Sequence, residues 1–62
     1  MNYKELLERA ERFIESTGAT VTGLCSKCGL SASLYYKWRS GETPISAVKA
    51  AGIEAFLERF GF

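Results

Sequence analysis

The sequence predicts an all-α fold, one compact bundle of five short helices around a central pair joined by a tight turn. Three observations predict it. Apolar residues recur at three- and four-residue steps over residues 6–14 and again over 53–60, the period of an amphipathic helix. Small polar residues suited to capping a helix start (Asn2, Thr20, Ser31, Ser46) precede the helical stretches. Glycines (Gly18, Gly29, Gly41, Gly61) follow them, as expected where helices end. No strand pattern is evident.

Sixty-two residues make one domain, 1–62. A chain of this size buries only about 60% of the surface its unfolded form exposes, so stability should be modest and dimerisation would help. The 47% hydrophobic content suffices for one small core. No apolar run approaches the roughly 18 residues of a membrane span. The start, Met1 to Glu5, lacks the basic-then-apolar layout of a signal peptide. The expectation is a cytoplasmic protein with no membrane partner.

Asn2 caps the first helix. Leu6, Leu7, Ala10, Phe13 and Ile14 form its apolar stripe, and Lys4, Glu5, Glu8, Arg9, Glu11, Arg12 and Glu15 the opposite face. Glu5–Arg9 and Glu8–Arg12 stand four apart, acid first, pairs that contribute about 0.2–0.5 kcal/mol each. Carboxylates on a solvated face lack the burial and opposed environments that catalytic acid pairs need. Gly18 closes this helix. Thr20 caps a second, over Val21–Cys28, with Val21, Leu24, Cys25 and Cys28 inward. Gly23 inside it costs about 1 kcal/mol relative to alanine, which close approach of another helix or of a phosphate would explain.

Gly29 supplies the positive φ of a sharp turn, Leu30 plugs the angle between the helices, and Ser31 caps the third helix. Tyr35 and Trp38 point inward; Ala32, Ser33, Tyr36 and Lys37 point outward. Gly41 ends this helix and Glu42-Thr43-Pro44 forms a turn. Ser46, or Thr43 with Pro44 in the first helical position, caps a short fourth helix through Ala51. Gly52 breaks it. Ile53, Phe56, Leu57 and Phe60 mark a fifth helix ending at Gly61.

Two cysteines and no histidine cannot complete a four-ligand zinc site within one chain, and no metal or other cofactor is expected. Cys-x-x-Cys also occurs in redox motifs, but beside a strand–helix pattern. The simpler reading makes Cys25 and Cys28 small apolar residues on the inward side of one helix; a redox switch or an intersubunit metal site are the alternatives. With no histidine, no aspartate and no phosphate-cradling glycine loop, the chain is not read as an enzyme, and no small-molecule substrate is expected.

Two short helices joined through Gly29-Leu30-Ser31 are the sequence form of a helix-turn-helix, here about residues 20–41. Such a unit lays its second helix, residues 32–40, in the major groove of double-stranded DNA. The net charge of +1 counts mildly against this, but its distribution favours it. Residues 1–18 carry −1, residues 19–44 carry +2 through Lys27, Lys37 and Arg39 against Glu42, and residues 45–62 balance. So small a basic patch implies modest, salt-sensitive non-specific affinity.

Thr20, Cys25, Gly29, Leu30, Ser31, Ser33, Tyr35, Trp38, Gly41 and Pro44 stand at the spacing of a known pattern. It has a capping Ser or Thr, a small buried residue, a turn glycine four further on, then an apolar residue, Ser, a polar face and Trp-x-x-Gly-x-x-Pro. Residues 20–44 thereby resemble the helix-turn-helix of the lambda-repressor-like family, the phage repressor and Cro type. The resemblance implies that family's five-helix layout and a DNA-binding transcription regulator from a phage or mobile element, acting at the bacterial nucleoid. Three positions depart from the pattern. Val21 stands where many members carry a phosphate-contacting glutamine, Cys25 where alanine is usual, and Leu34 where a polar residue is common. Phosphate contact would then come from Thr20, Thr22 or backbone amides. Leu34 either packs on a thymine methyl or leans onto Leu30 or the fourth helix.

Ser31 and Ser33 can bond a base or a phosphate, and Ala32 offers a methyl suited to thymine. Tyr36 can stack along the sugar–phosphate edge or bond a base. Lys37 suits guanine or a phosphate. Arg39, Ser40 and Thr43 meet backbone phosphate, contacts that position without reading sequence. The plainer reading makes Ser31 only a cap and Lys37 and Arg39 ordinary surface charges. Phe56, Phe60 and Phe62 exceed what a closing helix needs and are read as a homodimer contact, the alternative being a helix folded back on the first. A dimer would recognise an inverted repeat. The competing reading of the whole chain is a helix-turn-helix used as a protein-interaction module, antitoxin-like or anti-repressor, without specific DNA binding.

Overall fold

The structure is a computed structural model and describes residues 2–62. Among these residues there are four helices and no strand: α1 (Tyr3–Thr17), α2 (Val21–Cys28), α3 (Ala32–Arg39) and α4 (Ala47–Arg59). Each begins at a cap whose side-chain oxygen accepts a backbone N–H three residues on. Asn2 serves Glu5, Thr20 serves Gly23, Ser31 serves Leu34 and Ser46 serves Lys49, at 3.0–3.3 Å. Ser46, not Thr43, is therefore the cap of α4.

A second device repeats at three of these starts. The residues just before the cap and four past it are Ala19 and Leu24, Leu30 and Tyr35, and Ile45 and Ala50, and all six lie in or against the core. This is the arrangement of a hydrophobic staple, which fixes the angle at which the chain enters a helix. Eight-residue helices such as α2 and α3 are too short to persist alone in water and depend on packing of this kind against the rest of the core.

The turns depend on glycine at two points. Gly29 (φ +75°) lets Leu30 N–H reach back to Cys25 C=O at 2.8 Å, turning the chain directly into Ser31 and α3. Gly41 (φ +82°) closes α3 as Glu42 N–H reaches Lys37 C=O at 2.9 Å and Gly41 N–H reaches Trp38 C=O at 3.1 Å, a Schellman closure.

The expected fourth and fifth helices are one. Gly52 lies inside α4 with helical backbone and does not break it. Continuity wins because Ala50, Ile53 and Leu57 bury at helical spacing on both sides of it. A Cβ at Gly52 would meet nothing closer than Cys28 C=O, at 3.7 Å. Gly23 is likewise not explained by another helix, for a Cβ there would meet only the capping Thr20 Oγ1, at 3.1 Å.

α1 packs along α4, and α2 contacts both α3 and α4. Leu6, Ala10 and Phe13 of α1, Leu24 and Cys25 of α2, Tyr35 and Trp38 of α3, and Ile53 and Leu57 of α4 form the core, with Leu30 and Ile45 from the connections. Leu34 leans onto it. The expected Glu5–Arg9 and Glu8–Arg12 pairs do not form among the described residues. Arg9 instead reaches across to α4 and beyond: its Nη1 stands 3.6 Å from Glu54, and its Nε donates to Phe62 C=O at 2.7 Å. A backbone carbonyl and a carboxylate together hold the guanidinium better than one solvated neighbour on the same helix.

Candidate nucleic-acid interface

α3 divides cleanly into two faces. Inward, Tyr35 is fully buried and Trp38 nearly so, their rings edge-on at 5.8 Å. Outward, Ser33, Tyr36, Lys37 and Ser40 are all exposed to solvent. Steps of three, four and seven align them along one side. Ala32 is placed at the start of the same face. Lys37 has no ion pair among the described residues.

Arg39 is not a free surface charge. Its Nη1 stands 3.5 Å from Glu11 Oε1 on α1, and the guanidinium lies 4.9 Å from the centre of the Tyr36 ring, within range of a cation–π contact. Both charged side chains remain partly exposed, so the pair is weak.

The hydroxyls differ in what they can still offer. Ser31 and Thr20 spend a lone pair on their caps and keep an O–H to donate to an anion. Ser40 Oγ donates to Lys37 C=O at 3.0 Å, so it must surrender that bond to reach a phosphate. Thr22 is exposed at the start of α2, while Thr43 is half-buried beside the end of α3.

Compared with protein-family models, curated proteins and solved structures, the chain matches none.

The cysteines sit on the inward side of α2, Cys25 buried and Cys28 half-buried, both as free thiols. Burial pushes both thiols above the ordinary 9.0, Cys28 further helped by its neighbour Cys25, so neither is an activated thiolate. Among the described residues no group of three potential ligands could hold a metal ion, and no helix is long and apolar enough to cross a membrane.

The phenylalanine-rich end is mostly spent within the chain. Phe56 and Phe62 are half-buried and sit edge-on to Phe13 at 5.3 and 5.5 Å. Phe60 touches the same cluster but is 52% exposed. Beside this cluster runs an open apolar groove of about 270 Å³, floored by Phe13, Leu24, Gly23 and Phe56 with Lys27 lining it. Sequence reasoning missed the groove, the buried Ile45 and the role of Glu11. Ile45 carried a local signal as the apolar residue just before a capping serine; the other two arise from contacts between distant segments.

Proposed function

We propose that this chain is a sequence-specific double-stranded DNA-binding regulator of the phage repressor/Cro type, acting at the nucleoid in the cytoplasm. The α2–Gly29-Leu30-Ser31–α3 unit is its helix-turn-helix. The observation that carries this reading is the division of α3: Tyr35 and Trp38 anchor it, and Ser33, Tyr36 and Lys37 project together from a short, capped helix. A helix so held can enter the major groove, with its first turns nearest the base edges. Ser31, Thr20, Thr22, Arg39, Ser40 and Thr43 flank that face and supply phosphate contacts. Ser33, Ala32, Tyr36 and Lys37 read bases. Phe60 is the ring best placed to meet a second copy on an inverted repeat.

Selection from a random duplex library tests this. An enriched inverted repeat with half-sites about 10 base pairs apart is the expected result. No enrichment by folded protein refutes it. One observation favours a second reading, a protein-interaction module: Val48 is 84% exposed on α4 and the apolar groove lies open. Partner binding that survives high salt, without DNA affinity, would select that reading.

A further inference from the structure

The outward face of α3 carries one aromatic ring, and two groups bracket it. Tyr36 is 47% exposed, yet the buried Tyr35 ring meets it edge-on, with centres 6.1 Å apart and planes at 83°. Three residues on, the Arg39 guanidinium lies 4.9 Å from the centre of the Tyr36 ring, the neighbour relation of i and i+3 on a helix surface. Arg39 has an anchor of its own outside α3, for its Nη1 stands 3.5 Å from Glu11 Oε1 on α1. Contacts thus run from α1 through Glu11 and Arg39 to Tyr36, and from Tyr36 into the core through Tyr35, itself edge-on to Trp38. Lys37, the other long side chain on this face, has no ion pair among the described residues. An unrestrained side chain samples several rotamers and loses that freedom on binding. A ring already bracketed loses less.

We propose that Tyr36 is the specificity-determining residue of the duplex interface, and that Arg39 and Glu11 are its positioning residues. This rests on the DNA-binding reading above and gives Arg39 a task beyond phosphate contact. A guanidinium has five N–H donors, so donors remain for a phosphate while Glu11 engages one nitrogen and the group stays beside the ring. A ring fixed relative to the α3 axis presents its edge and hydroxyl at one place in the major groove, where each base pair shows a distinct pattern. Lysine at position 39 would keep the charge but lose the planar group that stacks on an aromatic and matches a carboxylate. That substitution separates the two tasks of Arg39.

The test measures binding to the duplex enriched from the random library and to each single-base-pair variant of it, by fluorescence anisotropy at one salt concentration. The proteins are wild type, Y36A, R39K and E11A, each confirmed folded by circular dichroism. Y36A should lose discrimination at one base pair or two adjacent ones. R39K and E11A should lose discrimination at the same pairs, about two- to fivefold, the worth of an exposed cation–π contact, and keep it elsewhere. A residue that only contacts phosphate would instead change affinity for every duplex alike. Uniform weakening by R39K, or unchanged discrimination in R39K and E11A, overturns the positioning role and leaves the DNA-binding reading standing. Y36A that discriminates as wild type does overturns the role of Tyr36. In the free protein, nuclear magnetic resonance should show the Arg39 side-chain protons shifted upfield by the Tyr36 ring, and the shift reduced in E11A; no such shift in wild type overturns the bracket whatever the duplex data. A wild-type protein that shows the shift but binds no duplex overturns both the proposal and the reading beneath it.

Discussion

Replacing Gly52 by alanine should stabilise the protein, although glycine at that point in the sequence looks like a helix break. Residue 52 sits well inside α4, which runs from Ala47 to Arg59, and its backbone is helical. Alanine is favoured over glycine in a helix interior by about 0.8–1.0 kcal/mol. The new Cβ would lie 3.7 Å from Cys28 C=O, an ordinary van der Waals separation, so little of that gain is lost to crowding. The net is about 0.5–1 kcal/mol, which in a domain of this size raises the melting temperature by roughly 2–8 °C. Thermal melts followed by far-ultraviolet circular dichroism, with urea titrations as a check, would measure it. The same exchange at Gly29 or Gly41, where φ is +75° and +82°, should lower stability by about 1–2 kcal/mol. A fall in melting temperature for Gly52→Ala would refute the continuous α4 and restore a broken helix there.

Ser31→Ala removes the acceptor for Leu34 N–H and should cost about 1 kcal/mol in a urea titration; an unchanged midpoint would show that the Leu30 staple alone sets the start of α3. Stability should fall as pH rises above about 9, for Cys25, Cys28 and then Tyr35 all ionise later in the folded chain than in the unfolded one. The folded state then binds more protons, which makes the slope of stability against pH negative; a flat profile through the alkaline range would contradict the burial of these groups. Phe60→Lys should cost about 1 kcal/mol through its ring contacts and abolish any dimer seen by sedimentation with duplex present, so a persisting dimer would move the contact elsewhere.

Features set by neighbours in the chain were legible in the sequence. The four caps, the turn at Gly29 and the inward pair Tyr35 and Trp38 all depend on residues within a few positions of one another. Gly52 was not legible, because a glycine that ends a helix and one that sits within it look alike until the burial of Ala50, Ile53 and Leu57 is known. The charged residues show the same divide. Arg9 has an acidic neighbour one turn away yet pairs with Glu54, and Arg39 is held by Glu11, 28 positions earlier. Local spacing states which pairs can form and is silent about the stronger competitor brought in by the fold. Hence the outward face of α3 could be read from sequence, while the restraint on its last arginine could not.

The two faces of α3 also make this scaffold easy to rewrite. The anchors, Tyr35 and Trp38, and the displayed residues, Ser33, Tyr36 and Lys37, share one eight-residue helix without sharing duties. Exposed substitutions away from caps and core usually move stability by less than about 0.5 kcal/mol. The displayed set can therefore drift or be randomised while the anchors, caps and turn stay constant. Descendants of this chain could diverge in what they recognise long before they diverge in shape.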